Sequence, residues 1–142
     1  MCTVQALLLP FLLTGAVSGA MAAELKVTLD DVASGSGHLL VAVCTPETFL
    51  GSDCPYTGVA PAASGETEVV VRGIKPGVYA VQAFHDENDN LDLDRNFLGW
   101  PEEGMGFSND APMRFGSPRF ADAAIAIDAD RAATRLRLRY FR

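Results

Sequence analysis

Apolar side chains recur at every second position through most of this chain, a period that matches the pleat of a strand and cannot form the stripe of a helix. Leu25, Val27 and Leu29 alternate with Glu24, Lys26, Thr28 and Asp30. That is the pattern of a half-buried strand. Residues 38–44 (HLLVAVC) are apolar on both faces, as a central strand would be. In residues 66–73, Val69 and Val71 face away from Glu68, Val70 and Arg72. A Pro-Gly turn at Pro76 and Gly77 then opens a strand with Tyr79, Val81 and Ala83 on one face, which His85 ends. Residues 122–128 (DAAIAID) and 134–141 (TRLRLRYF) suggest one more pair, joined by DADRAA. No window carries a long amphipathic helix. These segments predict an all-β fold, an antiparallel, seven-stranded β-sandwich.

The first 22 residues predict a signal peptide, leaving residues 24–142 as a single β-sandwich domain. Residues 6–17 (ALLLPFLLTGAV) form an apolar core too short to span a bilayer, and Ala20, Met21 and Ala22 supply an A-x-A cleavage pattern. A periplasmic or secreted protein follows, with no stable membrane span after cleavage. Cys2 leaves with the signal. Cys44 and Cys54 remain in an oxidising compartment, where a disulfide is the expectation and a thiolate metal site, lacking a nearby His, is the weaker alternative.

Two connections are long. Residues 45–65 are tied back by Cys54. Residues 86–121 exceed ordinary loop length and hold Trp100 with Phe97, Phe107, Phe115 and Phe120, too much aromatic content for a disordered tether. This excursion starts in HDENDNLDLDRNFLGWPEEG, residues 85–104, where seven carboxylates meet one cation, Arg95. Crowded like charges need a counter-charge to be ordered. Asp86, Asn88, Asn90, Asp92 and Asp94 place oxygen-bearing side chains at every second position, as the D-x-[DN]-x-[DN] calcium loop does. Calcium is therefore the expected cofactor, with Glu102, Glu103 or Asp110 completing its shell. Leu91 in place of the turn glycine and Phe97 in place of the bidentate Glu exclude a standard EF-hand. The competing source of counter-charge is Arg95, Arg114 and Arg119 with aromatic packing.

The net charge of −7 disfavours nucleic acid as a partner. Ser108 lies in GFSND, which fails the nucleophile-elbow pattern because Asp110 replaces its second glycine. His85 ends a strand and reads more readily as a core-edge residue than as a catalytic base. Arg135, Arg137 and Arg139 alternate with Leu136, Leu138 and Tyr140, as on a final strand whose basic face meets solvent. Trp100 is suited to stacking on a sugar or another flat ligand.

The run from Gly73 through the HDEN segment, GWPEEG, GFSN and PRFADA resembles the bacterial domain-of-unknown-function 2141 family, whose members carry a Pro-Gly-x-Tyr strand, an HDEN-type acidic segment, a G-x-P-x-E-G turn, GFSN and a Pro-x-Phe-x-x-Ala segment. The resemblance covers the chain from about Leu25 onward. It implies an export signal and no assigned activity. Its Pro-Gly-x-Tyr strand also resembles those of transthyretin-like and collagen-adhesin B-type sandwiches, which implies a prealbumin-like fold. Position by position it highlights His85, Asp86, Asn88, Asn90 and Asp94, then Gly99, Pro101, Glu103, Gly104, Gly106, Phe107, Ser108 and Asn109. Many relatives have Gly where this chain has Asp89 and Leu91.

The expectation is an exported, noncatalytic binding or structural module with a calcium-stabilised loop. Its ligand-contacting residues would be His85, Trp100, Glu103, Phe107, Ser108 and Asn109, and its partner a small molecule, a polysaccharide or a protein. The alternative is a periplasmic, hydrolase-like enzyme with a carboxylate and His85 in the same loop. The two differ in what they require: no deeply buried carboxylate pair and an open surface around Trp100 for the module, a concave pocket with a perturbed acid beside His85 for the enzyme.

Overall fold

The computed structural model describes Gly15, residues 22–113 and residues 115–141. The expected export signal, apart from Gly15 and Ala22, and Arg114 lie outside the described residues. The fold is all-β and built from two sheets. Its strands are β1 (Ala23–Val32), β2 (His38–Cys44), β3 (Tyr56–Pro61), β4 (Gly65–Ile74), β5 (Gly77–Asp86), β6 (Met105–Phe107), β7 (Ala124–Ile127) and β8 (Arg131–Arg137). One sheet runs β4-β1-β8, and the other runs β3-β2-β5-β6 with β7 also paired to β5.

The alternation read from the sequence is the alternation of burial. Leu25, Val27 and Leu29 of β1 and Val69 and Val71 of β4 meet Leu39, Val41, Val43, Val81 and Ile127 from the other sheet in one core. Each such side chain contributes about 1.5–3 kcal/mol by leaving water. β2 is apolar on both faces because it lies between β3 and β5. The chain is also stapled at the end of β2 by the Cys44–Cys54 disulfide, as its two cysteines led us to expect.

Three expectations need correction. Eight strands form among the described residues, not seven, because β3 lies inside the connection read as a long loop and β6 inside the acidic excursion. β3 has no apolar alternation to reveal it: YTGVAP is half-buried at best. Its Gly58 passes so near the other sheet that a Cβ would stand 2.7 Å from the carbonyl oxygen of Val70. The last two strands, secondly, are not a pair. β7 joins β5 in one sheet, and DADRAA carries the chain across to the other, where β8 lies beside β1. Thirdly, that β1–β8 pairing is parallel, with Leu25 opposite Ala132 and Leu29 opposite Leu136, so the fold is not wholly antiparallel. The arginine face of β8 is paired and not merely solvated. Arg135 reaches Asp30 and Glu66, and Arg137 reaches Asp31.

Candidate functional site

His85 closes the core face of β5 and is fully buried. Its Nε2 lies 2.6 Å from the carbonyl oxygen of Ser36, which can only accept, so Nε2 carries a proton. With the ring neutral, Nδ1 accepts from the Tyr140 hydroxyl at 2.8 Å, and that hydroxyl oxygen accepts the backbone N–H of Ala33 at 3.0 Å. The Glu87 carboxylate stands 3.9 Å from Nδ1. The backbone N–H of His85 donates to the Gly104 carbonyl at 2.8 Å. Gly104 is glycine because the Tyr140 ring lies against it, 2.4 Å from where a Cβ would be. Strand end, acidic excursion and C-terminal segment are thus joined through one imidazole and one phenol.

The excursion begins at Asp86, also fully buried. Its Oδ1 accepts the N–H of Asn90 at 3.1 Å and its Oδ2 the N–H of Leu91 at 2.8 Å. Asp94 accepts the side-chain amides of Asn88 at 2.6 Å and Asn90 at 2.7 Å, one on each oxygen. Glu103, 5% exposed, accepts the backbone N–H of Glu87 at 3.0 Å and of Asp94 at 3.3 Å. Asp89 meets the imidazole of His38 at 2.6 Å. Asp92 and Glu102 face solvent. The counter-charge that crowded carboxylates require therefore comes from N–H dipoles. Of the arginines expected to supply it, Arg119 pairs with Asp122, Arg95 donates to the Gly99 carbonyl and forms no ion pair among the described residues, and Arg114 lies outside them.

Burial pushes the Glu103 carboxyl above its ordinary pKa of 4.5, and the negative charges of Asp94 and Asp86 add to this, while its two backbone donors pull the other way. Asp86 and Glu103 are both buried, on either side of the Glu87 backbone, whereas the binding-module reading expects no deeply buried carboxylate pair; burial is tolerated because each carboxylate accepts two backbone N–H groups.

As they stand, these donors do not fit a calcium ion. All six oxygens of Asp86, Asp94 and Glu103 take N–H groups, and the amide nitrogens of Asn88 and Asn90 occupy the side of Asp94 where a cation would sit. Among the described residues no group of three or more His, Cys, Asp or Glu is arranged to hold a metal. Leu91 and Asp89 both adopt positive φ, 65° and 56°. The turn geometry is kept at the cost of strain in this chain.

The other motif residues also bind the chain itself. Ser108 is fully buried, accepting the N–H of Val81 and donating to the Ala123 carbonyl. Asn109, at φ 59°, donates its amide to the carbonyls of Asp122 and Ala124. Ser108 ties the loop to β5, and both residues tie it to the entry of β7. His85, Glu103, Ser108 and Asn109 line neither of the two clefts on this face of the molecule.

Trp100 and Phe107 do line a cleft. Asn96 holds the turn that carries Trp100: its side-chain oxygen accepts the N–H groups of Leu98 and Trp100, and its own N–H donates to the Trp100 carbonyl. The cleft encloses about 280 Å³. Its floor is Met105 and buried Phe107, braced edge-on by Phe49 at 5.7 Å. Leu98, Trp100, Phe115 and Phe141 form its exposed rim, with Trp100 and Phe141 at 6.2 Å. A second cleft of about 300 Å³ runs over the outer face of β5, from Leu50 to Leu93. Arg95, Met105, Phe107 and Ser117 belong to both. Phe107, Trp100 and the aromatic surplus were legible in the sequence. Arg95, Met105, Met113 and Phe141 were not, because they converge from separate segments.

No helix among the described residues is long and apolar enough to cross a membrane. No curated protein and no solved structure matches the chain. The family model described as "Uncharacterized protein conserved in bacteria (DUF2141)" matches residues 27–135, over which the strands, the N–H-capped acidic turn and the GFSN tie have just been laid out, and the chain belongs to that family.

Proposed function

We propose that this protein is an exported, noncatalytic binding module of the immunoglobulin- or transthyretin-like sandwich type, with the cleft below Trp100 as its ligand site. The observation that carries the reading is the exposed rim of Leu98, Trp100, Phe115 and Phe141 around one concavity. Water-facing apolar side chains gathered in this way mark a surface that something covers. The acidic turn is the scaffold beneath. It places Trp100 by holding the ends of the turn that carries it, through Asp94, Asn96 and Glu103.

The burial of Asp86 with Glu103 and the raised pKa of Glu103 support a hydrolase-like alternative, which would use His85 and Glu103. Both side chains already spend their polar atoms on the chain itself. Calcium enters the proposal as an alternative counter-ion for the turn: rotating the amides of Asn88 and Asn90 through half a turn would bring their oxygens toward Asp94, at the cost of the Asn90 and Asp92 N–H bonds those oxygens now accept.

The test is a titration of the folded protein with a neutral apolar probe, cyclohexanol, followed by the methyl resonances of Met105 and Met113. Saturable shifts at these two methyls, weakened by Trp100→Ala, are expected. Shifts that fail to saturate, that Trp100→Ala leaves unchanged, or that are absent would reject the cleft as a site.

A further inference from the structure

We infer that the cleft takes a single-chain amphiphile with an anionic head, a medium-chain carboxylate, seated with its head on Arg95 and Ser117 and its chain toward Trp100. The inference rests on the binding-module reading above and adds the chemistry of the ligand.

Its basis is a segregation of charge. The protein carries a net charge of −7, and residues 85–104 hold seven carboxylates. Not one carboxylate lines the first cleft among the described residues, although its walls come from that same excursion. The single cation of the stretch, Arg95, forms a salt bridge with none of the seven among the described residues, although Asp92 lines the second cleft with it. Its Nη1 donates to the Gly99 carbonyl in the cleft wall at 3.0 Å, and the guanidinium, with five donors, makes no ion pair among the described residues. An arginine surrounded by acids and paired with none of them keeps its charge for something else.

Position selects the shape of the ligand. Arg95 and Ser117 are the polar members of the four residues shared by the two clefts, and Met105 and Phe107 are the apolar ones. The junction therefore offers a cation and a hydroxyl above an apolar floor. From there an anion's tail has two ways to run. The second cleft contains the exposed carboxylate of Asp92, which repels an anion. The first is walled by Leu98, Trp100, Pro101, Met113 and Phe115. Its volume of about 280 Å³ is at the small end of ligand sites, enough for one chain and too little for a two-chain lipid. A sugar would find few hydrogen-bonding side chains there.

Trp100 is the chain's one tryptophan, so its emission reports on the cleft directly. The experiment titrates the full protein with hexanoate, octanoate and decanoate, and with 1-octanol and 1-decanol, each below its micelle concentration. Expected are a saturable blue shift, affinity rising by up to about fourfold per methylene, and carboxylates binding about tenfold tighter than the matched alcohols. In Arg95→Gln that preference disappears and acid and alcohol bind alike, with an unchanged far-UV circular dichroism spectrum showing that the variant is folded. Equal binding of acid and alcohol in the native protein would overturn the anionic head and leave the cleft reading standing. Silence of Trp100 toward every chain would overturn both. Vesicles of phosphatidylcholine and phosphatidylglycerol that shift Trp100 while decanoate fails to compete would replace the free amphiphile with a membrane surface.

Discussion

The hydroxyl of Tyr140 lies 2.8 Å from Nδ1 of His85, edge-on to its ring, and joins the C-terminal segment to the strand end from which the acidic excursion departs. The Tyr140 ring also fills the space that Gly104 leaves by having no side chain. One phenol thus touches both ends of the 85–104 stretch.

Tyr140→Phe removes that hydroxyl and leaves the packing. The buried imidazole nitrogen and the Ala33 N–H each lose a partner, and a buried polar group left unsatisfied costs about 1–3 kcal/mol. Chemical denaturation is expected to show a loss of that size at unchanged m-value. A loss under about 0.5 kcal/mol would mean that water replaces the hydroxyl at no cost.

Leu91→Gly is expected to stabilise. Leu91 holds φ at 65° while 71% exposed, so the substitution relieves a left-handed strain of about 1–2 kcal/mol and gives up little apolar burial. The unfolded chain gains about 0.5–1 kcal/mol of entropy with glycine. The net gain is about 0.5–1 kcal/mol, seen as a higher denaturation midpoint. A lower midpoint would show that the Leu91 side chain contributes more through the second cleft than it costs in strain.

Glu103 makes stability depend on pH in a defined direction. Its pKa in the folded protein is above 4.5 because burial penalises the ionised form. The folded state therefore binds the proton more tightly than the unfolded chain, and between the two pKa values stability falls as pH rises. The penalty is fully present above the folded pKa and absent below the unfolded one. Compared with Glu103→Gln, the native protein is expected to lose stability as pH rises from about 4 to 7. A carboxyl resonance for Glu103 titrating below 4.5 would contradict the shift.

Calcium and the amide donors compete for the same Asp94. If calcium binds only the folded form, melting in excess calcium and in chelator should differ by about 2.7 kcal/mol when the ion is at about 100 times its dissociation constant. Asn88→Asp with Asn90→Asp exchanges two N–H donors for acceptors. It should destabilise the turn in chelator and raise the response to calcium. Superimposable curves for both proteins would remove calcium from the account and leave the N–H groups as the turn's counter-charge.

Local pattern and global arrangement divide the account of this protein between them. The sequence alone determined the elements whose signal is a period: the inward faces of β1, β2, β4 and β5, the Cys44–Cys54 pair and the outward arginines of β8. Burial of every second side chain is a local demand, met in whichever sheet the strand lies. β3 and β6 had no such period, and the parallel partnership of β8 with β1 depended on which sheet each end of DADRAA joins, a contact between residues more than a hundred positions apart. The acidic stretch was legible as an ordered turn, but not what neutralises it. Carboxylates seek the nearest donors, and only the folded backbone brings the N–H groups of Glu87, Asn90, Leu91 and Asp94 within reach. The cleft, likewise, exists only where Arg95, Trp100, Met105, Phe115 and Phe141 meet, since concavity and charge segregation belong to the surface and have no counterpart along the chain.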